Sequence, residues 1–123
     1  MILVDTSVWI DHLRGGDAVL VQLLETRRVL THPFIVGEVA LGNLRERDEV
    51  LGALSNLPQI HVAAESEVLH LIDLEALFGR GIGYVDAHLL AGLRLTPGTR
   101  LWSRDRRLAE VADQLGLAAS GLR

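Results

Sequence analysis

The run Ile2-Leu3-Val4, leading straight into Asp5-Thr6-Ser7, constrains this chain more than any other stretch. Consecutive aliphatic residues without polar alternation mark a strand buried on both faces, which belongs inside a parallel sheet covered by helices. Thr6 or Ser7 can cap the helix that follows, and Trp9, Ile10 and Leu13 give that helix an apolar side. Asp5 therefore falls at the carboxyl end of a buried strand, where open α/β sheets hold their ligands. An ionised carboxylate there needs a partner, because burying a lone charge is expensive. Taken alone, Asp5 is explained better as the cap of its own helix, so the rest of the chain has to decide.

The same alternation continues. Arg14-Gly15-Gly16-Asp17 breaks the first helix, a short helix is expected over 18–25 and a second strand over 28–32. Pro33 suits a helix start, with helices expected over 34–41 and 46–54 and a weak strand over 59–62. A longer helix is expected over 64–78, a glycine-rich loop over 79–83 and a helix over 84–94. A strand over 100–103, a helix over 106–115 and an edge strand over 117–120 complete the reading. Strands alternating with helices imply an α/β fold, a three-layer α/β/α sandwich around a mostly parallel sheet of about five strands. With 123 residues, 49% of them apolar, one domain over 1–123 is expected.

Composition removes several chemistries. There is no cysteine, hence no disulfide framework, zinc–thiolate site or thiol nucleophile. All twelve basic residues are arginine, which excludes a P-loop lysine and Schiff-base catalysis. A net charge of −4 argues against coating nucleic acid by bulk charge and leaves a local basic rim open. No leader precedes Asp5 and no apolar run approaches transmembrane length, so a cytoplasmic protein without membrane attachment is expected.

Most acids have polar company. Asp73 shares a stripe with His70 and Ser66, and Glu46, Asp48, Glu49, Glu65 and Glu67 read as helix surface. Glu38 and Asp86 do not. Glu38 has Phe34, Ile35 and Leu41 at helical spacing, and Asp86 has Leu89, Leu90 and Leu93, so both are expected to face the core. Asp105 follows the strand ending at Ser103 as Asp5 follows the first; capping its helix explains it equally well. Converging carboxylates are tolerated when a hard cation sits among them, and oxygen-only ligation favours Mg²⁺ or Mn²⁺ over zinc. Such sites hydrolyse phosphate esters with metal-activated water.

Asp5-Thr6-Ser7, Glu38 in Gly37-Glu38-Val39, Gly83-Tyr84-Val85-Asp86-Ala87-His88 and Ser103-Arg104-Asp105 together resemble the four acidic motifs of PIN domains. The small size and the Asp-Thr-Ser-Val-Trp opening most resemble the VapC toxins of bacterial VapBC toxin–antitoxin pairs. The resemblance runs from Met1 to about Leu115 and departs at Ser103, where the family more often has threonine; the hydroxyl is kept. It implies metal-dependent RNA cleavage, a VapB-like antitoxin and a homodimer. It makes Asp5, Asp86 and Asp105 ligands of Mg²⁺ or Mn²⁺, gives Glu38 the completion of the pocket or the orientation of water, and leaves Thr6 and Ser103 as supporting hydrogen-bond groups.

Rival readings are weaker. A PIN-fold binding module that cleaves nothing need not keep all four acids. An aspartate-based phosphotransferase wants a second Asp where Ser7 stands, and a lysine. The loop Gly79-Arg80-Gly81-Ile82-Gly83 joins two helices and reads as a plain connection. His88 is expected at the surface, His12 and His61 in structural or exposed roles, and Trp9 and Trp102 in the core. Arg14, Arg80, Arg104, Arg106 and Arg107 lie beside the motifs and as a group are candidates for contacting RNA phosphates, although any single one is better explained by pairing with a nearby acid such as Asp11 or Glu110. Exposed apolar residues are expected on the helices holding Val39, Leu44, Leu51 and Leu54, as a docking face for an antitoxin segment or a second subunit, unless these residues simply pack on each other.

Overall fold

The computed structural model describes residues 1–123. Strand β1 (Ile2–Val4) is central: it pairs in parallel with β2 (Val29–Leu30) on one side and β3 (Arg100–Trp102) on the other. Leu3 stands opposite Leu30 and Leu101, and both Leu3 and Val4 are sealed from solvent. The apolar run that opens the chain thus does what an unbroken aliphatic run does in a covered parallel sheet. The expected outer strands are present only as single parallel bridges, Thr31 to Gln59 and Leu101 to Ala118. Each is clasped by two backbone bonds: Thr31 N–H to Pro58 and Ile60 N–H to Thr31 on one edge, Leu101 N–H to Leu117 and Ala119 N–H to Leu101 on the other. The sheet therefore has three regular strands where about five were expected, with edges too short to recruit another chain.

Helices α1 (Thr6–Gly15) and α2 (Ala18–Glu25) connect β1 to β2, and α3 (Pro33–Ala40) and α4 (Arg47–Ser55) carry the chain to the outer edge. Then α5 (Glu65–Leu74) and α6 (Tyr84–Arg94) bring it back past β1 to β3, which α7 (Arg106–Gln114) follows. Right-handed crossovers put α1–α4 on one face and α5–α7 on the other. The packing agrees: α3 lies against α1 and α4, and α5 against α6. Strand order reverses between β1 and β3, so their carboxyl ends frame the crevice where such sheets usually hold their ligands.

Helix α6 is the keystone of its layer, with every residue from Ala87 to Leu93 buried. Gly92 permits this, since a Cβ there would stand 2.6 Å from Ile60 Cδ1 and 2.7 Å from the His61 carbonyl. Helix α5 ends four residues before the expected 78. Ala76 takes a left-handed conformation (φ 50°), and Leu77 N–H returns to the Ile72 carbonyl at 2.9 Å. That is a Schellman stop with alanine in the place usually held by glycine, which is why composition did not announce it.

Of the two expectations for α3 and α4, mutual packing holds at the four named residues. Val39 and Leu54 are buried and Leu44 and Leu51 half-buried, because α3 and α4 pack on each other. The exposed apolar residues of this region are instead Phe34 and Leu41, the latter 90% exposed.

Candidate active site

The crevice between β1 and β3 is built from hydroxyls. Asp5, 5% exposed, receives hydrogen bonds on Oδ2 from Ser7 Oγ at 2.7 Å and Ser103 Oγ at 2.9 Å. Each hydroxyl is held in turn by a backbone N–H, Arg104 N–H on Ser7 Oγ at 2.9 Å and Asp105 N–H on Ser103 Oγ at 3.0 Å. Asp5 N–H closes the pair of strands by donating to the Trp102 carbonyl at 2.9 Å. The backbone just after β3 thus fixes the side chain just after β1. Serine at 103 does the supporting work expected of it. Ser7 has an equal share that its sequence position, read only as a helix cap, did not reveal.

The other acids follow one rule. Glu38 Oε1 accepts from Thr6 Oγ1 at 2.8 Å. Asp86 Oδ2 accepts from Gly83 N–H at 3.1 Å across the first turn of α6. Asp105 Oδ1 accepts from Leu108 N–H at 3.1 Å and so does cap α7. In each of the four acids one oxygen is tied down and the other makes no hydrogen bond. None is paired with an arginine or histidine. Burial pushes the Asp86 carboxyl above the ordinary carboxylate range, and the negative charges of Asp5, Asp105 and Glu38 push the same way against the Gly83 hydrogen bond. The four acids therefore share one electrostatic neighbourhood.

Two expectations about orientation need correcting. Asp86 faces the core as its spacing required, half-buried above Leu89, Leu90 and Leu93. Glu38 does not: it is exposed, together with Phe34 and Leu41, and only Ile35 of its expected neighbours is buried. Helix α3 covers its layer with Ile35 and Val39 and turns the Phe34–Glu38–Leu41 stripe outward, toward the crevice mouth.

His88 is likewise buried, at 7% exposure, where the surface was expected. It lies among His32, Phe34 and Tyr84, with Phe34 and Tyr84 edge-on to it at 4.8 and 4.7 Å between ring centroids. Its Nδ1 has no hydrogen-bond partner, nor has His32 Nε2. His32 Nδ1 accepts from Phe34 N–H at 3.0 Å and caps α3. Burial, and secondarily the neighbouring His88, lowers its pKa to about 4. Nothing in the spacing of single histidines announces this cluster, because its members meet across two helices. Trp9 and Trp102 are core residues as expected, His12 Nδ1 binds Asp17 N–H, and His61 is exposed.

The arginines divide. Arg104 points away from the acids: its guanidinium meets Asp11 at 2.9 Å and Asp17, binds the Arg123 carbonyl, and lies over the Trp102 ring. It is thereby withdrawn from the candidates for contacting RNA. Arg106 reaches Glu110 within α7, an exposed pair, and Arg80 donates to Gln114 at 2.6 Å. Arg107 rests against Gly81, and Arg14 is exposed with no acid partner.

The donor set suits a hard divalent cation: carboxylate oxygens only, a free oxygen on each acid and no protein cation to neutralise them. As placed, no three of the acids are close enough to share one ion, so holding one would require them to draw together. An oxygen-lined acidic crevice at the switch point of a parallel sheet is the class of site this fold presents. A PIN domain family model matches residues 2–114. The chain is also 50% identical over 118 residues to Ribonuclease VapC32 of Mycobacterium tuberculosis, in strains CDC 1551/Oshkosh and ATCC 25618/H37Rv, covering 96% of this chain and 95% of each relative. The chain belongs to the PIN domain family and within it is VapC-like.

Proposed function

We propose that the chain is a metal-dependent endoribonuclease, the toxin of a toxin–antitoxin pair. The observation that carries this reading is the set of four carboxylates, each with one anchored and one free oxygen and none with a protein cation. Its relatives' name, Ribonuclease VapC32, supports RNA as the substrate. Asp5, Asp86 and Asp105 would hold Mg²⁺ or Mn²⁺, and Glu38 would complete the pocket or orient water. Bound there, a divalent cation lowers the pKa of water and neutralises charge developing on the phosphoryl oxygens. Ser7 and Ser103 keep Asp5 in one rotamer with its free oxygen forward, and Thr6 does the same for Glu38.

An acidic pocket would repel a polyanion unless cations flank it. Arg14, Arg80, Arg106 and Arg107 form that flank in this reading, engaging phosphates by charge. The partners that go with it are a VapB-like antitoxin and a second copy of the chain, in the cytoplasm; no helix is long and apolar enough to cross a membrane. A binding module without catalysis is disfavoured, because four uncompensated acids would only repel one another there.

The test is metal removal. RNA cleavage by the purified protein should stop with EDTA and return with Mg²⁺ or Mn²⁺ but not Ca²⁺, read as new RNA ends on a denaturing gel. Cleavage that continues unchanged in excess EDTA would overturn the metal-dependent mechanism.

A further inference from the structure

We infer that Phe34 and Tyr84, seated on His88, form a stacking ledge for an unpaired RNA base beside the scissile phosphate. The inference rests on the ribonuclease reading and adds to it a means of holding the strand that does not depend on charge. Both rings are aromatic residues in water, Phe34 38% and Tyr84 47% exposed, in a chain with few aromatics. Both sit in the first turns of the helices that carry catalytic acids, Phe34 in α3 one turn before Glu38 and Tyr84 in α6 two residues before Asp86. Phe34 and Glu38, four apart, share the outward stripe of α3, so the ring and the carboxylate lie about 6 Å apart along the helix axis.

The rings are also positioned. His88 is buried between the two helices and holds Phe34 and Tyr84 edge-to-face, at interplanar angles of 66° and 84°. His32 supports Phe34 from behind in the same geometry, 5.0 Å away. A solvent-facing apolar side chain with no task would not need two buried imidazoles to fix its plane. A base needs a fixed plane, because stacking depends on parallel approach to a ring face. Single-stranded RNA offers splayed bases of this kind, and stacking on aromatic side chains tolerates any of them. Phosphates held by arginine and a base held by ring contact would together fix the register of the strand on the acids.

The experiment uses the whole chain in an Asp5→Asn background, with a fluorescent single-stranded RNA and Mg²⁺ present. Changing Phe34 and Tyr84 together to leucine should weaken binding about tenfold or more while leaving the salt dependence unaltered, since no charge is removed. The conservative exchange Phe34→Tyr with Tyr84→Phe should restore binding. In the active protein the leucine pair should raise KM with kcat little changed, and an abasic nucleotide beside the cleavage position should abolish the difference between the two proteins. If wild type cleaves RNA but the leucine pair binds and cleaves as well as it does, the ledge is wrong and the ribonuclease reading stands. If the leucine pair turns a dimer into a monomer with RNA kinetics intact, the rings belong to a protein interface and the ledge is again wrong. A wild type that neither binds nor cleaves RNA overturns both readings.

Discussion

Two clusters of acids lie within a few residues of each other, and the protein treats them in opposite ways. Asp11 and Asp17 face Arg104, which also binds the last carbonyl of the chain and covers Trp102. The Arg104 hydrogen bond holds the Asp17 carboxyl below the ordinary range. One residue further on begins the other cluster, Asp105 with Asp5, Glu38 and Asp86, where no guanidinium enters and Asp86 is pushed up instead. The chain had an arginine available at the boundary and turned it outward. Where neutralisation serves stability the fold supplies it internally; in the crevice the fold supplies none.

The largest expected effect breaks the uncompensated cluster. Asp5→Asn should lower RNA cleavage by about 10²–10³-fold, comparable to losing one preorganised electrostatic group. Asp86→Asn should do the same, and in metal-free protein it should also raise stability by roughly 1 kcal/mol or less. The sign follows from the raised pKa. Between the ordinary carboxylate range and the raised value the folded state binds more protons than the unfolded, so stability falls as pH increases through that window. The gain from Asn is therefore absent at low pH and complete at neutral pH. Thermal melts with and without Mg²⁺ check it: the ion should raise the midpoint of wild type far more than that of Asp86→Asn.

The paired cluster should respond in the other currency. Arg104→Gln should cost about 1–2 kcal/mol in urea unfolding, from two ion pairs and a cation–π contact at a partly exposed site. Its activity should stay near wild type. The Asp17 pKa is depressed, so this stabilisation is present above the ordinary carboxylate pKa and is lost as pH falls through the depressed value. An Arg104→Gln protein that keeps its stability but loses RNA affinity would reverse the division drawn between the clusters.

The division was only partly legible in the sequence. Asp5 and Asp86 were readable because local pattern governs them: a buried strand running into a carboxylate, and an acid at i−3, i−4 and i−7 from leucines that are indeed sealed. The core-facing orientation expected of Glu38 does not hold. The α3 helix is apolar nearly all round, so periodicity could not say which side faced the sheet, and tertiary packing chose Ile35 and Val39. For Arg104 the alternative of an acid partner such as Asp11 is the one the structure realises, whereas Asp17, 87 residues away in sequence, was not foreseen because spacing does not report such pairs. The His32–Phe34–Tyr84–His88 cluster was missed on the same ground. The lone Gly92 inside a helical pattern was a signal of close packing that could have been taken up.

The smallest effect asks whether the crevice really lacks an internal cation. His32 and His88 are the buried imidazoles near α3 and α6, and a protonated His32 there would partly neutralise Glu38 and Asp86. Its lowered pKa of about 4, caused first by burial and then by His88, says that it stays neutral. The folded state then resists a proton that the unfolded chain accepts near pH 6.5. Stability is thus full above that value and declines as pH falls toward 4, by up to ~1.4 kcal/mol per pH unit. His32→Asn removes the titration while keeping a residue able to cap α3 by accepting from Phe34 N–H. Urea unfolding of both proteins from pH 4.5 to 7.5 separates the two contributions. A loss constant across pH reports packing, whereas a gap that closes or reverses as pH falls below about 6.5 reports the excluded proton. A gap flat over the whole range would mean that His32 accepts its proton in the folded state as readily as in the unfolded one. The crevice would then hold a cation of its own at mildly acidic pH, and its contrast with the Arg104 cluster would narrow.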